Sequence, residues 1–185
     1  MGNGRFVTGI LVGWLMAGCQ SSPPAPTATG TPAVQATATP ATLASTSWYT
    51  HLARDGSYSL QFPKAPEKVG ETPQSLVLAY PLDKLGSNLS FIQMPLPEDF
   101  SPQDPAKLMS KPGLKVVSTK ETKIAGRRAF EMEMVTGDSR CWVTMIFERP
   151  WLYQLVAYQG GKSPQDYASE RQQFFASFQF TRDRP

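Results

Sequence analysis

The chain has 185 residues, with 18 basic and 15 acidic side chains and a net charge of +3. Arg5 is the only charged residue before Arg54, so residues 48–185 carry 17 basic and 15 acidic side chains, a net charge of +2. Domains that bind nucleic acids usually carry a strongly basic stripe that neutralises phosphates. The small, interspersed surplus of basic residues predicts no nucleic-acid partner.

The N-terminus has the arrangement of an export signal. Arg5 precedes an apolar run of ten residues, Phe6–Leu15, so a charged region is followed by a hydrophobic one. A helix that spans a membrane needs roughly 20 residues, because each residue adds only about 1.5 Å. Residues 1–18 are therefore predicted to be a signal peptide rather than a spanning helix.

The apolar run ends in Leu15-Met16-Ala17-Gly18-Cys19, which resembles the lipobox of bacterial lipoproteins. This resemblance implies that Cys19 becomes the first residue after cleavage and carries acyl chains such as palmitate. Two or three acyl chains hold a protein in a bilayer, whereas one gives only marginal binding. Cys19 is therefore the predicted lipidation site, with membrane lipid as its partner; the alternative is an ordinary secretory signal with an incidental cysteine.

Residues 19–47 are rich in Ala, Thr and Pro and contain no charged side chain. After Gln20, Val34 and Leu43 are the only large aliphatic residues, so the segment has too little apolar surface to offset the entropy of ordering. It is predicted to be a disordered tether that holds a globular domain, residues 48–185, away from the bilayer.

Alternating apolar residues and turn residues fill this domain. Asp55–Gly56 predicts a turn, and Tyr58, Leu60 and Phe62 recur at a period of two, which predicts a half-buried strand. Apolar runs between turn residues predict further strands at 75–80, 88–94, 114–124, 128–135, 141–147 and 152–158.

Two helices are predicted from residues that favour helix starts. Asp104 followed by Pro105 predicts a short helix over 105–110. Ser163 as N-cap, Pro164 in the first turn and Asp166 as the capping-box acid predict a helix from about 164 to 176. The residues expected on one face of this C-terminal helix are Tyr167, Arg171, Phe174 and Phe178.

Seven or so strands followed by one long helix predict an α+β fold. Because short turns join the strands, we expect an antiparallel sheet of about six to seven strands whose apolar face is covered by the C-terminal helix. The strands at 141–147 and 152–158 are apolar on both faces and are therefore expected to be central.

Motifs at both ends of the domain carry a resemblance to a known family. Asp55-Gly56-x-Tyr58-Ser59-Leu60-x-Phe62-Pro63 opens the domain and Phe174-Phe175-Ala176-Ser177-Phe178-Gln179-Phe180 closes it. With the lipobox and the tether, they resemble the PsbP-like domains, which include cyanobacterial lipoproteins. The resemblance implies an α-β-α sandwich and a non-catalytic role in assembling or stabilising a membrane complex such as photosystem II. The chain lacks the histidines that ligate metal in some members, so no metal site and no cofactor are predicted.

Side chains suited to nucleophilic chemistry are scarce. His51 is the only histidine and is expected to be exposed and inert, since it precedes every predicted strand. With Cys19 lipidated, Cys141 has no disulfide partner, and its apolar strand predicts a small buried side chain rather than a reactive thiol. No P-loop, dinucleotide, zinc-protease or serine-hydrolase motif occurs. The chain is therefore predicted not to be an enzyme, and no catalytic residue is assigned.

Charged and aromatic residues of the predicted strands leave alternatives open. Glu131 and Glu133 share a strand face, and paired carboxylates can divide acid and base roles, although a solvated face is the favoured interpretation. Arginines in the same region could bind lipid headgroups or an acidic partner, or pair across strands with these glutamates: Arg127, Arg128 and Arg140. Aromatic residues on the strands could line a pocket or an interface but are more often core: Trp142, Trp151, Tyr153 and Tyr158.

The sequence as a whole predicts a membrane-anchored, non-catalytic lipoprotein that binds or helps to assemble a membrane protein complex, with photosystem II as the version that the resemblance implies. The alternatives are a general cell-envelope lipoprotein that binds a small ligand or a wall component and, least favoured, a carboxylate-based hydrolase. The expected location is the extracytoplasmic side of the outer or inner membrane, or the thylakoid lumen in a cyanobacterial host.

Overall fold

The computed structural model describes residues 47–96 and 113–181, which lie in the unit Trp48–Pro185 apart from Ser47. The predicted signal peptide, Cys19, nearly all of the tether and the predicted helix at 105–110 lie outside the described residues. None of the helical structure within the described ranges is long and apolar enough to cross a membrane.

The described residues form ten strands and one helix. In chain order these are β1 (Tyr49–Leu52), β2 (Tyr58–Phe62), β3 (Glu67–Thr72), β4 (Ser75–Pro81), β5 (Asn88–Pro95), β6 (Lys115–Ile124), β7 (Arg127–Thr136), β8 (Ser139–Glu148), β9 (Trp151–Gln159), α1 (Ala168–Ala176) and β10 (Gln179–Phe180).

Two antiparallel sheets contain these strands. The larger sheet has seven strands in the order β3-β4-β5-β9-β8-β7-β6, and the smaller has three in the order β1-β2-β10. Two meanders, β3-β4-β5 and β6-β7-β8-β9, join side by side where β5 pairs with β9. Strands β8 and β9 therefore lie inside the sheet, as their apolar pattern predicted.

The main core lies between the two sheets. Tyr58, Leu60 and Phe62 of β2 are fully buried, which confirms the predicted face of this strand. The Tyr58 ring centroid lies 5.0 Å from that of Phe91 on β5 and 5.4 Å from that of Tyr153 on β9. Because such aromatic contacts bury large areas, the smaller sheet covers the centre of the larger one.

The opposite face of the seven-stranded sheet also carries buried side chains. Strict alternation along β7, β8 and β9 places them on this second face. The buried residues are Met132, Met134, Cys141, Val143, Met145, Leu152, Gln154 and Val156.

The C-terminal helix starts later than the capping signals predict. Helix α1 begins at Ala168 after Tyr167, which makes no side-chain capping bond. The hydroxyl of Ser163 instead donates to Asp83 Oδ2 at 2.8 Å, which links the segment before the helix to the β4–β5 loop. The predicted N-cap is therefore wrong, because residues 163–167 are not helical and α1 begins five residues after Ser163.

Helix α1 docks on the smaller sheet. Phe174 is fully buried, and its ring centroid lies 5.2 Å from that of Phe62 on β2. At the helix end, the backbone N–H of Gln61 donates to Ser177 Oγ at 2.9 Å. Phe178 lies beyond the helix and packs against Tyr58 at 5.8 Å between ring centroids. The predicted cover of the larger sheet by the helix is not confirmed at the core, where these contacts join α1 to β2 of the smaller sheet.

Candidate binding groove

A groove of about 680 Å³ lies where helix α1 passes over the β6-β7-β8 end of the larger sheet. The smaller sheet does not fill this end, so polar side chains of the sheet form the floor of the groove. The floor includes Lys120 of β6, Glu131 and Glu133 of β7, and Trp142 of β8, and α1 contributes Arg171, Gln172 and Phe175. We refer to this feature as the helix–sheet groove.

Arg171 and Trp142 join the helix to the sheet inside the groove. The guanidinium carbon Cζ of Arg171 lies 3.7 Å from the centroid of the Trp142 ring. A cation over the face of an indole is attracted to its π electrons, and the planar guanidinium also stacks well on it. Trp142 is half-buried: it packs against the edge of the core and also lines the groove.

Glu131 and Glu133 lie on the groove side of β7, on the shared face that the sequence predicted. Glu131 Oε2 is 3.8 Å from Lys120 Nζ across the β6–β7 pair, and Glu133 Oε1 is 3.5 Å from Arg140 Nη1 across the β7–β8 pair. Each carboxylate has one cationic neighbour, and the Glu131 side chain is 48% exposed while that of Glu133 is 27% exposed. In acid–base pairs one carboxyl usually lies in an apolar pocket, whereas both of these are open to solvent, so this geometry suits recognition better.

The three arginines singled out in the sequence do not form one patch. Arg140 pairs with Glu133, as predicted. Arg128 instead makes a two-pronged contact with Glu121 of β6, with Nε–Oε1 and Nη2–Oε2 distances of 2.7 and 3.2 Å. The Arg127 guanidinium lies 3.2 Å from Glu148 at Nε and 4.6 Å above the Phe180 ring. The pairing of Arg127 and Arg128 with Glu131 and Glu133 is therefore corrected.

His51 is not in the exposed position before the first strand that the sequence predicted. It lies in β1, paired with Leu60, and is half-buried rather than exposed. Its Nε2 is buried and finds no hydrogen-bond partner among the residues that the structure describes. Burial, and secondarily the charge of Lys68, lower the pKa of His51. No sequence pattern predicted a strand here, because the residues of β1 do not alternate between apolar and polar.

Cys141 lies in β8 and is buried, as its apolar surroundings predicted. Burial raises the pKa of its thiol to about 12. Within residues 47–96 and 113–181, no three side chains of His, Cys, Asp or Glu lie close enough together to share a metal ion.

The other aromatic candidates have separate places. Tyr153 belongs to the main core, where burial is nearly complete. Tyr158 is half-buried on the other face of the larger sheet, across from Cys141. Trp151 lines a smaller hollow of about 350 Å³ beside Tyr58, whose hydroxyl donates to Gln93 Oε1 at 3.0 Å. These residues do not meet in one pocket.

Sequence reasoning missed the contributions of Lys120, Phe175 and Gln172 to the groove. Their meeting depends on how the helix packs over strands distant in the chain, which no local pattern records. One available signal was the spacing of Lys115, Lys120 and Lys123 along β6, since lysines commonly mark strands at the edge of a sheet.

Comparison with known proteins shows that the fold of this chain is similar to that of a solved structure. No protein-family model matches the chain. No curated protein sequence matches it. Cyanobacterial PsbP (CyanoP) from Synechocystis sp. PCC 6803, solved in solution, matches 77% of this chain and 98% of its own length, with a TM-score of 0.55 and 14% identity.

Two further structures are more distant. PA94 from Pseudomonas aeruginosa, a protein of unknown function, matches 68% of this chain and 89% of its own, with a TM-score of 0.39 and 13% identity. A protein from Bacteroides thetaiotaomicron VPI-5482 matches 72% of this chain and 48% of its own, with a TM-score of 0.38 and 10% identity. These two scores are too low to support an argument, whereas the likeness to CyanoP shows that the chain has a PsbP-like fold.

Proposed function

We propose that this chain is a membrane-anchored, non-catalytic lipoprotein that binds a membrane protein complex through the helix–sheet groove. The observation that carries the proposal is the composition of the groove, in which Trp142 and Phe175 lie beside cations and carboxylates. Aromatic and arginine side chains supply most of the binding energy in many protein interfaces, and flanking charges orient the partner.

The anchor is acylated Cys19, on the extracytoplasmic side of the membrane. The lipobox Leu15–Cys19 supports this assignment, and the uncharged tether that follows would confine the domain near the bilayer and raise its local concentration. Expression of the full chain and of Cys19→Ala, followed by membrane fractionation, tests the anchor. The variant is expected in the soluble fraction, and an unchanged membrane fraction would contradict the assignment.

A binding role fits the groove better than a catalytic one. Glu131 and Glu133 each have a cation within 4 Å, so their charges are already engaged in orienting contacts. A protein that only binds its partner has no catalytic activity, so substitution of these glutamates cannot abolish one. Any activity of the purified chain that the double substitution Glu131→Gln with Glu133→Gln abolished, without unfolding it, would overturn this part of the proposal.

The partner is a complex in the same membrane, and the PsbP-like fold supports photosystem II as the first complex to examine. Photocrosslinking from position 172 of the full chain in host membranes tests this, because Gln172 is exposed and lines the groove. A matched crosslinker at Lys84, an exposed residue of the β4–β5 loop, is the control. Recovery of a photosystem subunit from position 172 alone supports the proposal.

Capture of other proteins by photocrosslinking would change the proposed partner or the proposed binding surface. Cell-wall or outer-membrane proteins captured from position 172 alone would replace the photosynthetic partner with an envelope partner while keeping the groove as the binding surface. Equal capture from positions 172 and 84, or none from position 172, would contradict the groove as the binding surface.

A further inference from the structure

Strand β6 forms one edge of the seven-stranded sheet. Among the described strands it pairs with β7 alone, so alternate backbone N–H and C=O groups point away from the sheet. Most of its ten residues are exposed. An open strand edge is a surface on which an extended segment of another protein can add a strand.

The part of β6 suited to such pairing is well defined. From Ser118 to Ile124 the strand keeps an unbroken register with β7. A bulge lies between Val116 and Ser118 and leaves Val117 without a cross-strand partner. Bulges bend a strand and interrupt its ladder, so continuous pairing is confined to Ser118–Ile124.

The edge carries surplus positive charge. Lys115, Lys120 and Lys123 lie along it with a single carboxylate, Glu121. Arg128 already holds that carboxylate at 2.7 Å. Among the ion pairs of the described residues, none within 4 Å includes Lys115 or Lys123, although the charge of Lys123 acts on Glu121 at longer range. A partner's carboxylates can therefore pair directly with both lysines.

The opposite edge of the same sheet differs. Strand β3 neutralises its own charges, since Lys68 Nζ lies 2.8 Å from Glu71 Oε2. Arg54 adds a second cation to the same carboxylate at 3.5 Å. Of these two edges, β6 alone combines a continuous register with an excess of cations.

The β6 edge also borders the helix–sheet groove. Ser118, Lys120 and Ile124 line the groove, and their side chains share one face of the strand. Side chains alternate between the two faces of a sheet, so a strand added beyond β6 would direct every second side chain toward the groove side.

We propose that the β6 edge accepts an extended, acidic segment of the partner protein as an additional strand. This inference rests on the proposed function, because it specifies how the partner at the groove is held. Main-chain hydrogen bonds along Ser118–Ile124 supply the pairing, and Lys115 and Lys123 favour carboxylates. An anionic lipid surface would use the lysines but leave the backbone groups of the edge unpaired, so the edge favours a peptide.

Hydrogen–deuterium exchange of the full chain in a non-ionic detergent tests the proposal. The probe is the synthetic peptide acetyl-(Thr-Glu)₄-amide, and acetyl-(Thr-Lys)₄-amide is its charge-reversed control. The acidic peptide is expected to slow amide exchange within Ser118–Ile124, and the basic peptide is expected to leave it unchanged. Binding without slower exchange at β6, or no binding, would overturn strand addition at this edge.

Charge-reversal variants test the role of the lysines. The double substitution Lys115→Glu with Lys123→Glu should weaken binding of the acidic peptide by about tenfold, which corresponds to about 1.4 kcal/mol. The matched control is Lys84→Glu with Lys162→Glu, which makes the same change in net charge at exposed positions outside the groove. Equal weakening by both pairs would show that only net charge matters and would refute the assignment.

Vesicles of phosphatidylglycerol distinguish the lipid alternative. If they bind through Lys115 and Lys123 while the acidic peptide does not bind, the edge is a lipid-binding surface and the proposal fails. If photocrosslinking from position 172 still captures a partner in that case, the proposed function stands without strand addition. If the peptide adds to β6 but no partner is captured, the proposed function fails instead.

Discussion

Phe174→Ala is expected to be strongly destabilising. The Phe174 side chain is fully buried, and it joins α1 to Phe62 of the smaller sheet at 5.2 Å between ring centroids. Truncating a buried Phe to Ala typically costs about 3 to 5 kcal/mol, because the lost burial is compounded by the cavity left behind. That is a large part of the roughly 5 to 15 kcal/mol that stabilises a domain. For a domain of this size, the loss corresponds to a fall in Tm of about 10 to 20 °C.

Thermal unfolding of the full chain in non-ionic detergent, followed by near-ultraviolet circular dichroism, measures this change. Gln172→Ala is the matched control, because Gln172 is exposed two positions earlier in the same helix. Its effect should stay within about 0.5 kcal/mol, as for most surface substitutions. Phe174→Leu keeps most of the apolar volume and should fall between the two, which provides a readout if the alanine variant does not fold. Equal shifts for Phe174→Ala and Gln172→Ala would refute docking of the helix through Phe174.

Three further predictions concern positions away from the helix. Partial burial opposes ionisation of Asp83, but hydrogen bonds such as that from Ser163 hold its pKa at about 2. The ionised carboxylate should therefore contribute fully to the stability of the fold above about pH 4, and this contribution should disappear as the pH falls through 2. Asp83→Asn should therefore lower Tm at neutral pH but match the wild type below pH 2, and an equal gap at both pH values would contradict this. Cys141, with a thiol pKa of about 12, should resist alkylation in the folded chain at pH 8 and react after denaturation, as peptide mass mapping would show. Gly160→Ala should lower Tm, because an added Cβ would lie 2.6 Å from the carbonyl oxygen of Leu85, and an unchanged Tm would show that the loop yields freely.

The sequence predicted the strands in which apolar residues follow a regular pattern of burial. Strand β2 has apolar residues at every second position, and the middle of β8 and of β9 is mostly apolar on both faces, so burial identifies them. Strands β1, β3 and β10 were missed. Strand β3, Glu67–Thr72, is almost wholly exposed, and β10 has two residues, so pairing with neighbours rather than burial of a face defines them. Such pairing depends on tertiary contacts that a local pattern does not contain.

The candidate site was predicted in part. The shared face of Glu131 and Glu133 followed from the period of two, and Arg140 was among the expected partners. The groove itself was not predicted, because it depends on where α1 crosses the sheet. The predicted start of α1 was also wrong, since the helix begins at Ala168 and Ser163 lies before it, bonded to Asp83 of the distant β4–β5 loop. Local signals thus gave the strand faces, whereas contacts between distant segments determine the groove.

Different residues of helix α1 contribute to the stability of the domain and to the proposed binding. One side of its nine residues carries Phe174 into the core, while Arg171 and Gln172 on another side line the groove. Substitutions at Phe174 should therefore remove the groove along with the fold, because both depend on the docked helix. Arg171 is a more selective position: Arg171 and Trp142 are both half-buried at the groove, and a cation–π contact contributes about 0.5 to 2 kcal/mol, less than the cost of truncating Phe174. Loss of partner capture on substitution at Arg171, with Tm nearly unchanged, would then report on the groove rather than on folding.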